Sequence, residues 1–287
     1  MGIVLGPTQY GKAECRLVRI VRDTPRHEIR DLNVSTALRG DFAAAHISGD
    51  QSRVLPTDTQ KNTVYAFAES HGVGEPEAFG LLLGRHFVAG TESVDGARIT
   101  LEDYAWDRID DHDHSFVRRG QELRTAVVTV TGADAWVVSG LTDLIVLKST
   151  GSEFAGFLVD EYTTLPETHD RVLATALTVQ WRYGHLDVDW AATYDAVRRL
   201  LLGTFADTHS LALQQTLYAM GSAVLLMRPE VAEIRLVAPN RHHFAVDLTP
   251  FGLDNPGEVF HAADRPYGLI EATLLRDDAP DPGPAWL

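Results

Sequence analysis

The sequence predicts an α+β fold of two similar halves, with antiparallel sheets carrying helices on one face, and three observations carry that prediction. Segments of alternating apolar and polar residues mark strands in both halves. Four stretches place apolar side chains at helical spacing, two in each half. The order strands, two helices, strands occurs twice along 287 residues, a length suited to one large domain or two of about 140 residues each.

The elements follow in order. In "AECRLVRIV", Cys15, Leu17 and Val21 share a face that excludes Lys12, Glu14 and Arg16. "RDLNVSTAL" repeats the alternation through Leu32, Val34 and Leu38. Thr57 opens a helix on which Val64, Phe67, Ala68 and His71 fall at i, i+3, i+4 and i+7. A second helix begins near Pro76, a residue suited to a first helical turn, and continues through Phe79, Leu82, Leu83 and Phe87. Strands are expected around 97–106, 115–131 and 134–148, where "TAVVTVTG" is rich in β-branched residues.

The second half repeats this order. One helix carries Trp190, Tyr194, Val197 and Leu201; the next carries Leu213, Leu217, Met220 and Val224. Gln214 falls one turn inside that second helix. Strands near 232–238, 241–248 and 268–275 close the half. "NTVYAFA" and "QTLYAMG" share a short pattern that hints at duplication, although the repeated element order is the better sign. Turn chemistry at 132–134 places the boundary there and divides the chain into 1–133 and 134–287. The tail "DDAPDPGPAWL" has the Pro and Asp content of an unpacked end.

Composition excludes several function classes. Hydrophobic residues make up 45% of the chain, enough for a substantial core. Forty acidic against 25 basic side chains give a net charge of −15 and no basic stripe, which argues against a nucleic-acid partner. No apolar run approaches the ~18 residues that span a bilayer, and no basic stretch with an apolar core opens the chain. The expectation is a soluble, unexported protein without a membrane partner. Cys15 is the sole cysteine, which excludes an intrachain disulfide and a cysteine-rich metal site; it is expected to be a small buried hydrophobe.

Several residues invite chemistry, each with a plainer reading beside it. Thr57-Asp58-Thr59-Gln60 fits a capping box, with the Thr57 hydroxyl accepting from the backbone near Gln60. A helix start also exposes N–H groups that attract an anion. Lys12 is an ordinary exposed lysine unless its surroundings make it a base. A strand through Asn240 and His242 puts both on one face with Phe244 and Val246, while His243 points away. "DDHDHSF" tempts a metal assignment, since His112 and His114 would project together beside Asp111 and Asp113. No further ligand is evident, so an exposed polar turn entering the next strand is the stronger reading. Arg171 and Gln214 read as surface residues of a loop and a helix.

Taken together, "YGK", "TDTQKNTVYAFA", "HDHSFVR", "GLTDLIVLKSTGSEFAGF", "DEYTTLPETHDRVLAT", "LQQTLYAMG" and "PNRHHF" resemble the cofactor-independent urate oxidase (uricase) family over nearly the whole chain. The resemblance implies oxidation of urate by O2 and water to 5-hydroxyisourate and H2O2, with no cofactor and no metal. It implies tandem T-fold (tunnelling-fold) domains in a homotetramer around a tunnel, with active sites shared between subunits. It makes Lys12, Thr57 and His242 the proton relay. Arg171 and Gln214 would grip opposite edges of the purine, and Phe154 would stack on its ring. Asn240, with Thr57, would hold oxygen or water above the ring, and the backbone N–H groups of Asp58 and Leu213 would complete substrate binding. The family often has Val where this chain has Leu213, which leaves a backbone donor but alters pocket width. Arg241 stands where Lys is common. Peroxisomal relatives end in a Ser-Lys-Leu-like signal whereas this chain ends Ala-Trp-Leu, which implies a cytoplasmic enzyme of bacterial type. Two readings from other classes stand beside this one. A metal-dependent purine or pterin enzyme on the same fold would use His112 and His114, and an inactive T-fold assembly protein is opposed by the intact Lys12, Thr57 and His242.

Overall fold

Strand β1 (Cys15–Val21) pairs antiparallel with β2 (Glu28–Gly40), with Cys15 opposite Val34 and Leu17 opposite Leu32. This register turns both alternating apolar sets to one face, and Cys15, Leu17, Leu32, Val34 and Leu38 are all buried. Helices α1 (Ala43–Ile47), α2 (Thr57–Ser70) and α3 (Pro76–Gly90) follow. After them come β3 (Val94–Asp103), β4 (Trp106–Arg108), β5 (Phe116–Arg118), β6 (Leu123–Thr131) and β7 (Asp134–Lys148). The computed structural model describes residues 2–287, and its contacts group into two compact units. The first runs to Gly140 and includes Arg182–Ala192 and Pro280–Leu287; the second comprises Leu141–Trp181 and Thr193–Ala279.

Within the first unit the strand order is β1-β2-β3-β6-β7, and β4 with β5 forms a separate two-stranded ribbon. Helix α3 starts on Pro76 as expected and lies on β3 and β6. The approach is close. A Cβ on Gly80 would stand 2.7 Å from Val128 Cγ2, and one on Gly84 2.8 Å from Val130 Cγ2. Phe79, Leu83 and Phe87 fill the layer above Ile99, Leu101 and Val128, all of them buried. The expected strand over 115–131 is broken into β5 and β6 by residues 119–122, where Gly120 adopts a positive φ of 26°.

The second unit holds most of β8 (Leu173–Tyr183) and of α4 (Trp190–Asp207), and all of α5 (Leu213–Met227). β9 (Val231–Pro239), β10 (His242–Ala245), β11 (Phe260–Ala263) and β12 (Leu269–Leu275) complete it. The order is β7-β8-β9-β12, with β12 antiparallel to β9 and Leu269 opposite Pro239. α5 packs on β9 and β12 and repeats the device used by α3: a Cβ on Gly221 would come within 2.8 Å of Leu274 Cδ1. The short sequence likeness falls on α2 and α5, the first long helix of one half and the second of the other. The shared element order, and not that likeness, relates the halves.

The tail departs from expectation. Residues Gly283–Trp286 form a 3₁₀ turn in the first unit, and Ala285 is only 1% exposed. Arg98 Nη1 donates to the Ala285 carbonyl at 3.2 Å, and Arg182 Nη2 donates to the Pro280 carbonyl at 2.9 Å. Proline-rich composition lowers the entropy lost on ordering, and the two arginines hold carbonyls of the segment in place.

Candidate active site

In the first unit, Lys12 is fixed through its backbone. Its N–H donates to Thr36 Oγ1 at 3.1 Å, and the Thr36 N–H donates to the Lys12 carbonyl at 2.8 Å. The Thr36 hydroxyl in turn donates to Gln60 Oε1 at 2.7 Å, and Gln60 Nε2 donates to the Leu55 carbonyl at 3.3 Å. Gln60 is fully buried in the first turn of α2, so one hydroxyl–amide pair ties the Lys12 segment to the helix start. Gly11 makes this approach possible, since a Cβ there would fall 1.7 Å from the Thr36 carbonyl oxygen.

Thr57 does not cap α2. Pro56 occupies the N-cap position, and the Gln60 N–H makes an ordinary helical bond to the Pro56 carbonyl at 3.1 Å. With that donor used, the capping box has nothing to accept, and Thr57 stands exposed as the first helical residue. The N–H groups of Thr57, Asp58 and Thr59 have no acceptor four residues back, which leaves donors at the positive end of the helix. Asp58 directs its carboxylate along the helix to Lys61 and Asn62. Lys61 chiefly holds that carboxyl below its ordinary range, with Asn62 adding to it and Lys12 contributing least. Beside this helix start, Tyr10, Phe42, His46, Gln51 and Thr57 line a cavity of about 620 Å³.

The second unit gathers the other residues. Phe154 forms an antiparallel bridge with Thr168, and the Arg171 N–H donates to the Ser152 carbonyl at 2.9 Å. This brings the Arg171 guanidinium to 5.2 Å from the Phe154 ring centroid. Arg171 Nε is buried and has no hydrogen-bond partner, and burial pushes the guanidinium pKa down from its ordinary value. A buried donor without an acceptor is costly, and an anionic ligand would remove the cost. His242 opens β10 with its ring stacked on Phe244, centroids 5.7 Å apart. Burial first, and the Arg171 charge second, push the His242 pKa below its usual value.

Two placements differ from expectation. Asn240 and His242 do not share a strand, because β9 ends at Pro239 and Arg241 donates its N–H to the Ala174 carbonyl at 2.8 Å. Asn240 instead forms a bridge with Thr175 and donates its N–H to the Gly268 carbonyl. The expected strand over 241–248 is the short β10, paired with β11. Gln214 lies at the second position of α5, not one turn inside it, directly after the buried Leu213. The Leu213 and Gln214 N–H groups are therefore free first-turn donors, like those of α2.

The residues of "DDHDHSF" form an exposed turn between β4 and β5. Arg26 pairs with Asp111 at 2.9 Å, and Arg108 Nη1 donates to the carbonyls of His112 and Asp113. Among the described residues no group of three or more His, Cys, Asp or Glu is arranged to hold a metal. The stretch is an exposed polar turn that leads into β5.

A sequence profile for the family described as Uricase matches residues 8–129 and 137–271. The uricase of Arthrobacter globiformis is 57% identical over 284 residues, covering 99% of this chain and 94% of that one. The uricase of Dictyostelium discoideum is 36% identical, covering 93% and 96%. The crystal structure of the Arthrobacter uricase superposes with a TM-score of 0.97 over 100% of this chain and 99% of that one. A uricase structure from Bacillus fastidious gives 0.82 at 27% identity, covering 95% and 94%. The chain belongs to the uricase family.

Within this uricase-family chain, two residues that tie the Lys12 segment to the start of α2 are not singled out by the sequence, although each leaves a trace. Gln60 sits four residues before Val64 and eight before Ala68, on the buried stripe of α2. Thr36 occupies an inward position between Val34 and Leu38. A polar residue at a core position of each element is the pattern of a buried hydrogen-bonded pair.

Proposed function

We propose that this chain is a urate oxidase, converting urate, O2 and water to 5-hydroxyisourate and H2O2 without a metal or organic cofactor. The observation that carries the substrate assignment is the buried, unpartnered Nε of Arg171 over the face of Phe154. A planar anion satisfies both groups at once: the guanidinium fork takes its edge, and the phenyl ring takes its face. Gln214 grips the opposite edge. The backbone N–H groups of Asp58 and Leu213, both in first helical turns, add two further donors.

Lys12, Thr57 and His242 form the proton relay, and Asn240 with Thr57 holds oxygen or water above the ring. Deprotonated urate is electron-rich enough to reduce oxygen, so the protein removes protons, positions the reactants and shelters the charged intermediate. Lys12, Thr57 and Asp58 lie in the first unit, whereas Phe154, Arg171, Leu213, Gln214, Asn240 and His242 lie in the second. In this reading the two sets meet across a subunit interface of a homotetramer built from tandem T-fold domains around a tunnel. The proposed domains are 1–133 and 134–287, divided in the gap between the matched segments; the compact units differ in grouping 134–140, Arg182–Ala192 and Pro280–Leu287 with the first. The location proposed is cytoplasmic; among the described residues no helix is long and apolar enough to cross a membrane.

The test is to mix purified protein with urate and follow peroxide release, before and after exhaustive chelation. Equal activity in both is expected. Loss with EDTA and recovery with one added metal would defeat the cofactor-free reading.

A further inference from the structure

Three short segments of the second unit carry the groups proposed to bind urate, and none of these segments is a regular strand. Residues 151–154 lie in the middle. On one flank, Phe154 and Thr168 exchange N–H···O bonds of 2.7 and 2.9 Å, and the Arg171 N–H reaches the Ser152 carbonyl. On the other, the Ser210 N–H donates to the Gly151 carbonyl at 2.9 Å, and the Glu153 N–H donates to the Ser210 carbonyl at 2.7 Å. Those few main-chain bonds set where Arg171 and the start of α5 stand relative to Phe154. Side chains reinforce each flank separately. Asp170 accepts from Thr150 at 2.8 Å, and the Thr216 hydroxyl donates to Ser210 Oγ at 2.8 Å.

Glu153 reaches both flanks. Its Oε2 lies 3.1 Å from His169 Nδ1, two residues before Arg171, and its Oε1 lies 2.6 Å from His209 Nε2, four residues before Leu213. We infer that Glu153 is a positioning residue for urate: its carboxylate clasps His169 and His209 and so sets the spacing of Arg171, Phe154 and the start of α5. The inference rests on the urate-site reading above. The two imidazoles hold the Glu153 carboxyl below its ordinary range, His209 contributing first. An ionised carboxylate only accepts, so His169 must present Nδ1–H and His209 Nε2–H. A fixed negative charge beside an anion site opposes binding by its field, which leaves geometry as the reason for its presence.

The opposing signs of field and geometry make the proposal testable in the intact protein. Glu153→Ala is expected to raise the KM for urate about tenfold, the share of one charge-assisted hydrogen bond, with kcat within about twofold. Glu153→Gln retains an acceptor and gains a donor that a re-tautomerised imidazole accepts, so it should restore KM close to the wild-type value. His209→Ala should raise KM as Glu153→Ala does, and the double variant should be no worse than either single one. This second variant alters an exposed side chain and keeps the test available should Glu153→Ala not fold. A lowered KM in both Glu153 variants would mean that only the field matters and would overturn the clasp. An unchanged KM in Glu153→Ala would overturn it as well. Amide hydrogen exchange of Glu153, Arg171 and Ser210, measured without substrate, should quicken in Glu153→Ala; unchanged exchange overturns the clasp whatever the kinetics. A wild-type protein that does not oxidise urate would overturn the functional reading and the substrate named here, while exchange still decides the clasp.

Discussion

Arg171 lowers the proton affinity of His242 from within the same half-site, adding its charge to the larger effect of burial. A neutral imidazole is what a relay needs, because it can accept a proton at one nitrogen while donating at the other. The same cation draws the anion, and a bound anion offsets its charge. If urate binds Arg171 as proposed, it would offset that charge and raise the proton affinity of His242.

The His242 resonance should titrate below 6.5, the unperturbed imidazole value. In Arg171→Ala the midpoint should move back toward 6.5 without reaching it, because burial is the first cause and remains. The sign for stability follows from proton counts. Just below pH 6.5 the unfolded chain binds more protons than the folded one, so this group costs stability as pH falls through that window and nothing above it. A proton-detected NMR titration of both proteins checks the shift; identical midpoints would remove Arg171 as a cause.

Replacing Arg171 itself should act on binding. Two charge-assisted hydrogen bonds to the anion, each worth about 1.5–3 kcal/mol, are lost in Arg171→Ala, so KM should rise roughly a hundredfold or more. Arg171→Lys keeps the charge but not the planar fork and should recover only part of the loss. Full recovery by lysine would mean that a point charge suffices and that the bidentate grip is wrong.

Lys12→Met and Thr57→Ala should act on turnover instead, since the proposed relay would operate after urate is bound. Loss of a positioned base typically removes roughly two to four orders of magnitude, and the drop should appear in kcat with KM little changed. Steady-state kinetics at saturating urate decides this. A Lys12→Met enzyme with unchanged kcat would show that another group is the base.

Gln60 should matter although it touches no substrate. Gln60→Leu removes the shorter acceptor of the buried Thr36 hydroxyl and leaves it only the Lys12 carbonyl at 3.4 Å, a loss of about 1–3 kcal/mol that loosens the backbone carrying Lys12. Chemical denaturation should record the destabilisation, and kcat should fall alongside it. Pairing Gln60→Leu with Thr36→Val removes both partners and should cost less stability than the sum of the single changes. Strict additivity would show that the two side chains are not energetically linked.

How much of this was legible in the sequence depends on the range of the interaction. Helix α3 was readable because Pro76 and the stripe through Phe79, Leu83 and Phe87 act within a few residues. Thr57 was misread as a cap because the sequence pattern cannot say whether Pro56 or Thr57 holds the boundary position. Strand β11 was missed because Phe260–Ala263 is short and half exposed, with no apolar alternation to announce it. The packed tail depends on Arg98, 187 positions before Ala285, a contact that no local pattern encodes. For the site, geometry separates Arg171 from an ordinary surface arginine. The residue type was visible, but the buried Nε without a partner was not.

The arrangement of the two half-sites gives the last prediction. Lys12 and Thr57 belong to the first unit, and Arg171, Gln214, Asn240 and His242 to the second. If they meet across an interface between copies, no dissociated monomer should be active. Co-expressing Lys12→Met subunits with Arg171→Ala subunits then becomes informative. At a mixed interface with two-fold symmetry, one site collects both substitutions and its mate collects neither. The intact site should turn over urate at the normal rate, although each variant alone is nearly inactive. Mixed tetramers isolated through two different affinity tags should therefore recover a substantial fraction of wild-type activity. A site drawn wholly from one chain could never be made intact by mixing. Purified mixed tetramers no more active than their parents would place all the residues within one subunit and end the shared-site proposal.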